Sequence, residues 1–204
     1  MTRPQRRSRR AAAARGDAVR DGERTAELLQ ASLRHLRATG MERFSLAGLA
    51  QALGTSSRML IYHFGSRDKL LGQVMHAMRA EVAAELRDPE PRTIGEAIDH
   101  WWIYYTAHLT EMQLFFHLAS RRFDEPTSFE EFASTAVETW KDYFAEAAVK
   151  QGYPGEGAET LGRLCVGALR GLIVDLLITD DRGSVHAALA MLRNQIAADE
   201  PSIS

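Results

Sequence analysis

Between Phe44 and Leu71 the chain reads FSLAGLAQALGTSSRMLIYHFGSRDKLL, and it gathers side chains that can hold a polyanion and read what it carries. Arg58 has the planar fork of donors that contacts guanine in a bidentate way. Thr55, Ser56, Ser57 and Met59 lie beside it at the start of the same segment. Ser56, Ser57, Tyr62 and His63 carry hydroxyl or imidazole groups able to reach phosphate oxygens. Arg67 and Lys69, with the free amides of a helix start, suit a further phosphate. Ser45 completes the set at the head of the stretch. Two readings stand for Tyr62, phosphate contact or packing inside its own small domain. For the cluster as a whole the bland alternative is an ordinary polar helix face.

The elements that must position these groups follow from local pattern. Ser45 is a candidate N-cap for an apolar-periodic segment through Leu46, Leu49, Ala50 and Leu53. Gly54 stands where a short helix must stop and turn, a place that favours a residue at ease with positive φ. Thr55 or Ser56 caps a second helix, about 56–63, with Met59, Leu60 and His63. Gly65 ends it, and Ser66 caps a third that continues to about Arg87, where Pro89 and Pro91 stop it. Upstream, about 22–39 puts Leu28, Leu29, Leu33 and Leu36 on one helical face, with Gly40 at its C-terminus. Two short helices joined by a glycine-bearing turn form a helix-turn-helix, whose second helix enters the DNA major groove with its N-terminal residues nearest the base edges.

These residues resemble the tetracycline-repressor (TetR) family of bacterial transcriptional regulators. Leu49-Ala50, Gly54, Ser56, Leu60, His63-Phe64, Ser66-Arg67 and Leu70-Leu71 match its pattern IA…GVS…TLYxHFxSKxxLL. Leu28-Leu29, Ala31, Leu33, Leu36 and Gly40 match its first helix, and the resemblance covers residues 24–71. The sequence departs from the pattern at Ile61, with the aromatic one position later at Tyr62, at Met59, and at Gly48, where no capping box forms. The resemblance implies a dimer, a larger helical domain that binds a small, usually apolar or amphipathic effector, and two C-terminal helices that meet a two-fold mate in a four-helix bundle.

The 204 residues carry a net charge of −2 that hides an asymmetry. Residues 1–71 hold 14 Lys and Arg against 6 Asp and Glu, whereas 72–204 hold 11 against 21. Only the first part is therefore suited to a polyanion. Residues 1–20, with six arginines in the first 15, lack apolar periodicity and read as a mobile basic arm. Such an arm can enter a minor groove or remain a solvated tail. The expected division is thus an arm over 1–20, a DNA-binding domain over 21–71, and an effector-binding and dimerisation domain over 72–204. Cys165 is the single cysteine, so no intrachain disulfide forms. Neither a secretory signal nor a run of about 20 apolar residues is present, and a cytoplasmic location is expected.

Beyond residue 92 five further helices are expected, at about 93–109, 111–122, 127–151, 156–179 and 184–198, with no strand signal. The fold class is all-α, an N-terminal three-helix helix-turn-helix domain joined to a larger helical one. Residues 101–144 hold 12 of the 16 aromatic side chains. Adjacent pairs such as Trp101-Trp102 and Phe115-Phe116 cannot all face one way on a helix, so some line a second surface or cavity. Trp101, Tyr105, His108, Phe116, Trp140 and Phe144 are the candidate effector walls, with core packing the alternative. Arg170 and Asp175, inside an otherwise apolar helix, either supply polar groups to that pocket or pair with neighbours. The last two helices place Leu164, Gly167, Ala168, Gly171, Leu172, Leu176, Leu189 and Leu192 at the candidate dimer interface. Gly167 and Gly171 are four apart and would let another helix come close; packing within one chain is the other reading.

No catalytic constellation, P-loop or dinucleotide fingerprint is present. His100, Tyr104 and His108 share a helical face, but the two histidines stand about 12 Å apart along it, too far for one metal. No enzyme activity, cofactor or metal is expected. The expected function is a dimeric, ligand-responsive regulator, a repressor released from a pseudo-palindromic operator in double-stranded DNA by a small apolar or amphipathic effector. The alternatives are a DNA-binding regulator controlled by a protein partner, and a helical enzyme or carrier whose basic domain binds nucleic acid incidentally. No membrane partner is expected.

Overall fold

The computed structural model of the chain describes residues 3–41, 43–124, 132 and 135–198, with the backbone alone for 3–15, 17, 18, 197 and 198. Nine helices, and no strand, occur among the described residues. They are α1 (Arg3–Thr39), α2 (Leu46–Ala52), α3 (Ser57–Phe64), α4 (Arg67–Glu85), α5 (Ile94–Ala107), α6 (Leu109–Asp124), α7 (Glu138–Lys150), α8 (Gly155–Thr179) and α9 (Arg182–Ala198). The chain divides into two compact units, residues 1–74 and 75–204.

One element differs from the sequence expectation from its start. Where a mobile arm is expected over 1–20, α1 runs unbroken from Arg3. Missing apolar periodicity argues against burial, not against helix. Ala11 to Ala14 and the flanking arginines are among the best helix formers. The expected helix over about 127–151 is described from Glu138 to Lys150 as α7, and residues 125–131, with Phe129, lie outside the described residues.

In the first unit a leucine core sets the geometry. Leu28, Leu33 and Leu36 of α1 are buried with Leu49 and Ala50 of α2, Leu60 and Phe64 of α3, and Leu70, Leu71 and Val74 of α4. Buried Ser32 avoids an unmet donor by giving its hydroxyl hydrogen to the Leu28 carbonyl at 2.7 Å. Gly54 makes the α2–α3 turn at φ +64, a conformation that side-chain-bearing residues rarely adopt. The Thr55 amide donates to the Ala50 carbonyl at 2.9 Å and closes that turn.

In the second unit α5, α7, α8 and α9 pack around an aromatic interior. At Gly162 α8 comes close to α7, and a Cβ there would lie 2.4 Å from the Lys141 carbonyl oxygen and 3.2 Å from the Ala145 nitrogen. Only glycine fits there. Gly167 and Gly171, the glycines whose spacing suggests close approach, have nothing within 4 Å of a built Cβ. Arg193 on α9 pairs with Asp99 on α5 at 2.9 Å, and Arg87 pairs with Glu146 on α7 at 3.2 Å. Asp181 caps α9, accepting from the Ser184 amide at 3.0 Å and its hydroxyl at 2.6 Å.

Candidate nucleic-acid interface and aromatic interior

The outward face of α3 is built by what lies behind it. Leu60 and Phe64 are buried, and helical spacing then turns Arg58, Met59 and Tyr62 outward, Met59 42% and Tyr62 67% exposed. Ile61 is also exposed. A methionine and a tyrosine so exposed on a short helix stand out against a polar surface. The helix start is made by Ser56, whose Oγ accepts from the Met59 amide at 3.2 Å. Ser45 does the same for α2, accepting from the Gly48 amide at 3.0 Å, and Ser66 for α4, accepting from the Lys69 amide at 3.1 Å. A capping hydroxyl accepts through its oxygen and keeps its own proton to donate, so capping and phosphate contact are compatible. Thr55 and Ser57 are half-buried at this start.

Around this face, Lys69 is exposed and its methylene stem passes Gly65. Arg67 is partly exposed, its guanidinium 5.2 Å from the centre of the Phe44 ring and 3.3 Å from Asp68. One residue of the expected set turns the other way. The His63 side chain is 3% exposed, with Nδ1 2.9 Å from Thr25 Oγ1 and 3.6 Å from Asp21. The Thr25 hydroxyl already donates to the Asp21 carbonyl at 2.8 Å, so His63 Nδ1 must be the donor. His63 therefore ties α3 to α1 instead of facing outward. Its place beside Phe64 on the inner turn of α3 is the reason.

The aromatic interior brings Trp101, Tyr105, Trp140 and Phe144 together, each 2% exposed or less. The Trp101 and Tyr105 rings are 4.4 Å apart, Tyr105 and Trp140 5.7 Å, and Trp101 and Trp140 6.3 Å. Phe116 is half-buried at 5.3 Å from Phe115. His108 is not an interior residue. It is the exposed C-cap of α5, stacked 4.3 Å from Tyr104, and its Nδ1 donates to the Tyr104 carbonyl at 2.8 Å.

Among the described residues, charge enters this interior at Arg170, Arg79 and Glu111. Arg170 on α8 is half-buried, its guanidinium 4.0 Å from the Phe115 ring centre, and its Nη2 donates to the Ala136 carbonyl. Arg79 on α4, not singled out from the sequence, is 2% exposed. Its Nη2 donates to Thr135 Oγ1 at 2.6 Å and its guanidinium lies 5.5 Å from the Phe132 ring centre. Glu111 on α6 is 1% exposed and accepts from the Tyr104 hydroxyl at 3.1 Å. Burial brings each arginine down to about 10, so both stay charged at neutral pH. Burial, and then Glu111, push the Tyr105 hydroxyl well above its ordinary range. Arg79 was legible in principle, because it shares the helical stripe of Leu71, Met75, Val82 and Leu86, all buried. A charge on an apolar stripe is the signal. Glu111, spaced with Leu114, Phe115 and Leu118, shows the same signal.

Of the candidate interface residues on α8 and α9, Leu164 is 55% exposed, Gly167 and Gly171 are exposed, and Ala168, Leu172 and Leu192 are half-buried. Leu176 and Leu189 are buried within their own unit, since they lie on the faces that α8 and α9 turn inward, with Ile173 and Val185. Ile178 and Met191, 79% and 73% exposed, were not in the expected set. Among the described residues no group of three or more His, Cys, Asp and Glu is placed to hold a metal, and no helix is long and apolar enough to cross a membrane.

Residues 28–74 match the sequence profile described as bacterial regulatory proteins, tetR family. Comparison with curated proteins finds no match. Among solved structures, the fold is similar to that of a TetR transcription regulator from Haloarcula marismortui (TM-score 0.68, 16% identity, 87% of this chain and 98% of that one). It is also similar to a TetR transcriptional regulator from Legionella pneumophila (TM-score 0.64, 20% identity, 85% and 95%). A third is the multidrug binding protein EbrR, complexed with imidazole (TM-score 0.59, 21% identity, 84% and 89%).

Proposed function

We propose that this chain is a member of the tetR family of bacterial regulatory proteins, a dimeric repressor that a small molecule releases from its operator. The observation that carries the DNA-binding part is the α3 face, with Arg58, Met59 and Tyr62 outward on a helix anchored by Leu60 and Phe64. Arg58 supplies direct base readout, and Ser45, Ser56, Tyr62, Arg67 and Lys69 supply phosphate contacts that set register. A two-fold dimer presents two such helices to a pseudo-palindrome.

The dimer reading rests on the outer face of α8 and α9. Leu164, Ile178 and Met191 expose apolar surface, and an apolar groove there is lined by Leu161, Leu164, Leu192 and Ile196. Open space beside Gly167 and Gly171 lets a partner backbone come close. The release step rests on α4, one continuous helix from Arg67 to Glu85. A ligand that favours the DNA-incompetent state by about 1–3 kcal/mol lowers operator affinity roughly 5–150-fold, and DNA weakens the ligand by the same factor.

Footprinting on the DNA flanking the protein's own coding region tests the whole reading. Arg58→Ala is expected to cost about 1–3 kcal/mol and relax preference at one base pair, whereas Arg67→Ala weakens all sequences alike and lowers the salt slope by roughly one. Unchanged affinity and preference in Arg58→Ala would remove α3 as the reading helix. A second reading, a regulator controlled by a protein partner instead of a small molecule, is favoured by the mutual packing of Trp101, Tyr105, Trp140 and Phe144 into what is plainly core.

A further inference from the structure

We propose that the effector is an amphipathic carboxylic acid, its carboxylate held by Arg79 and Arg170 and its apolar body lying against the surrounding aromatic rings. This rests on the small-molecule reading above and decides its chemistry.

The argument starts from how the two guanidinium groups are housed. Among the described residues Arg79 donates to Thr135 Oγ1 and Arg170 to the Ala136 carbonyl, and each rests on an aromatic ring. Those rings, Phe132 and Phe115, touch with centres 5.6 Å apart, so the two cations converge on one small region. Arg79 Nε and Nη1 and Arg170 Nε are buried without a hydrogen-bond partner, as is the indole Nε1 of Trp101. Buried donors left unmet are costly, and an unneutralised buried cation is costlier still. For packing alone, a methionine of similar volume would serve at lower cost.

Charge then selects the ligand. Glu111 is the one fully buried carboxylate among the described residues, and its Oε1 accepts from Tyr104. Among the described residues these two cations stand against one fully buried anion, a balance that a monoanion completes and a dianion overshoots. Phe115, Phe132, Trp101 and Tyr105 make the neighbourhood apolar, so the anion must arrive on an apolar body. A carboxylate with its two acceptor oxygens matches donors from two arginines, and such charge-assisted bonds are the strong ones.

The test uses the full-length protein, thermal melting and tryptophan emission, with decanoate and phenylbutanoate set against their primary amides. The acids are expected to raise the melting temperature, quench emission, and bind about tenfold or more tighter than the amides. Arg170→Met and Arg79→Met are expected to erase the acid–amide difference, and ligand-free Arg79→Met to melt no lower than wild type. Arg170→Met, at a half-buried position, carries the test alone if Arg79→Met does not fold. Equal binding of acid and amide by wild type, or an intact acid preference in Arg170→Met, overturns the proposal. Operator release by the amides but not the acids overturns the acid assignment and leaves the small-molecule reading standing. If no compound changes melting, emission or operator binding, both are overturned.

Discussion

Arg58 on α3 and Arg79 on α4 meet opposite surroundings. Arg58 lies exposed on a helix whose other side is leucine and phenylalanine, while Arg79 is 2% exposed among Phe132, Thr135 and the charge of Arg170. In water a guanidinium is cheap to place and contributes through what later binds it. In an aromatic interior its desolvation is a standing cost. The first unit therefore keeps an apolar interior and displays its chemistry outside. The second brings charge inside, where only a partner of opposite sign offsets it.

That contrast can be broken from either side. The largest effect is expected in the first unit's core, where Leu60 is fully buried directly behind Arg58 and Tyr62. Leu60→Ala should cost about 2–5 kcal/mol, read as a lower melting temperature, and should weaken DNA binding only through the loss of folded protein. If folded Leu60→Ala binds DNA poorly while its melting is unchanged, the core and the outer face of α3 are not the separate layers described.

Next comes a comparison within α8. Gly162→Ala places a Cβ against the Lys141 carbonyl and should cost about 1–3 kcal/mol of stability. Gly171→Ala meets open space and should leave the subunit's own stability unchanged or raised by up to roughly 1 kcal/mol through helix propensity. Its effect should appear instead as weaker self-association in analytical ultracentrifugation. Equal melting losses for the two variants would erase the distinction between inner and outer faces of α8.

The smallest effect is a reactivity. Burial pushes the Cys165 thiol up to about 12. The thiolate is the reactive form, so at pH 8 roughly one thiol in 10⁴ is ionised and a disulfide reagent should scarcely react with the native protein. Because the folded-state value is raised above the ordinary 9.0, the neutral thiol is what folding favours, and that preference is lost as pH rises from about 9 toward 12. Fast, stoichiometric reaction of the native protein at pH 8 would show that the α8 interior opens readily.

Much of the first unit was legible in the chain because its decisive features are local. Ser45, Ser56 and Ser66 each cap a helix by accepting from an amide three residues on, and Gly54 takes the left-handed turn within the same few residues. The expected helix over Leu46–Leu53 is found as Leu46–Ala52 for that reason. His63 escaped the same reading, because its partner Thr25 lies far back along the chain.

The second unit divides differently. Sequence alone determined that it is helical, rich in aromatic residues between 101 and 144, and bounded by breaks at Pro89 and Pro91 and around Gly152 and Pro154. Periodicity shows that a helix has an apolar face, but not which neighbour covers it. Tertiary packing decided that Gly162, and not Gly167 or Gly171, is the point of close approach, and that Leu176 and Leu189 turn inward while Ile178 and Met191 stay exposed. It also decided that His108 lies outside and that Arg79, Arg170 and Glu111 are drawn into the aromatic interior. Hydrogen bonds three or four residues apart are set by the chain itself. Burial of a charge depends on side chains brought from distant helices, and on the dielectric that their packing creates.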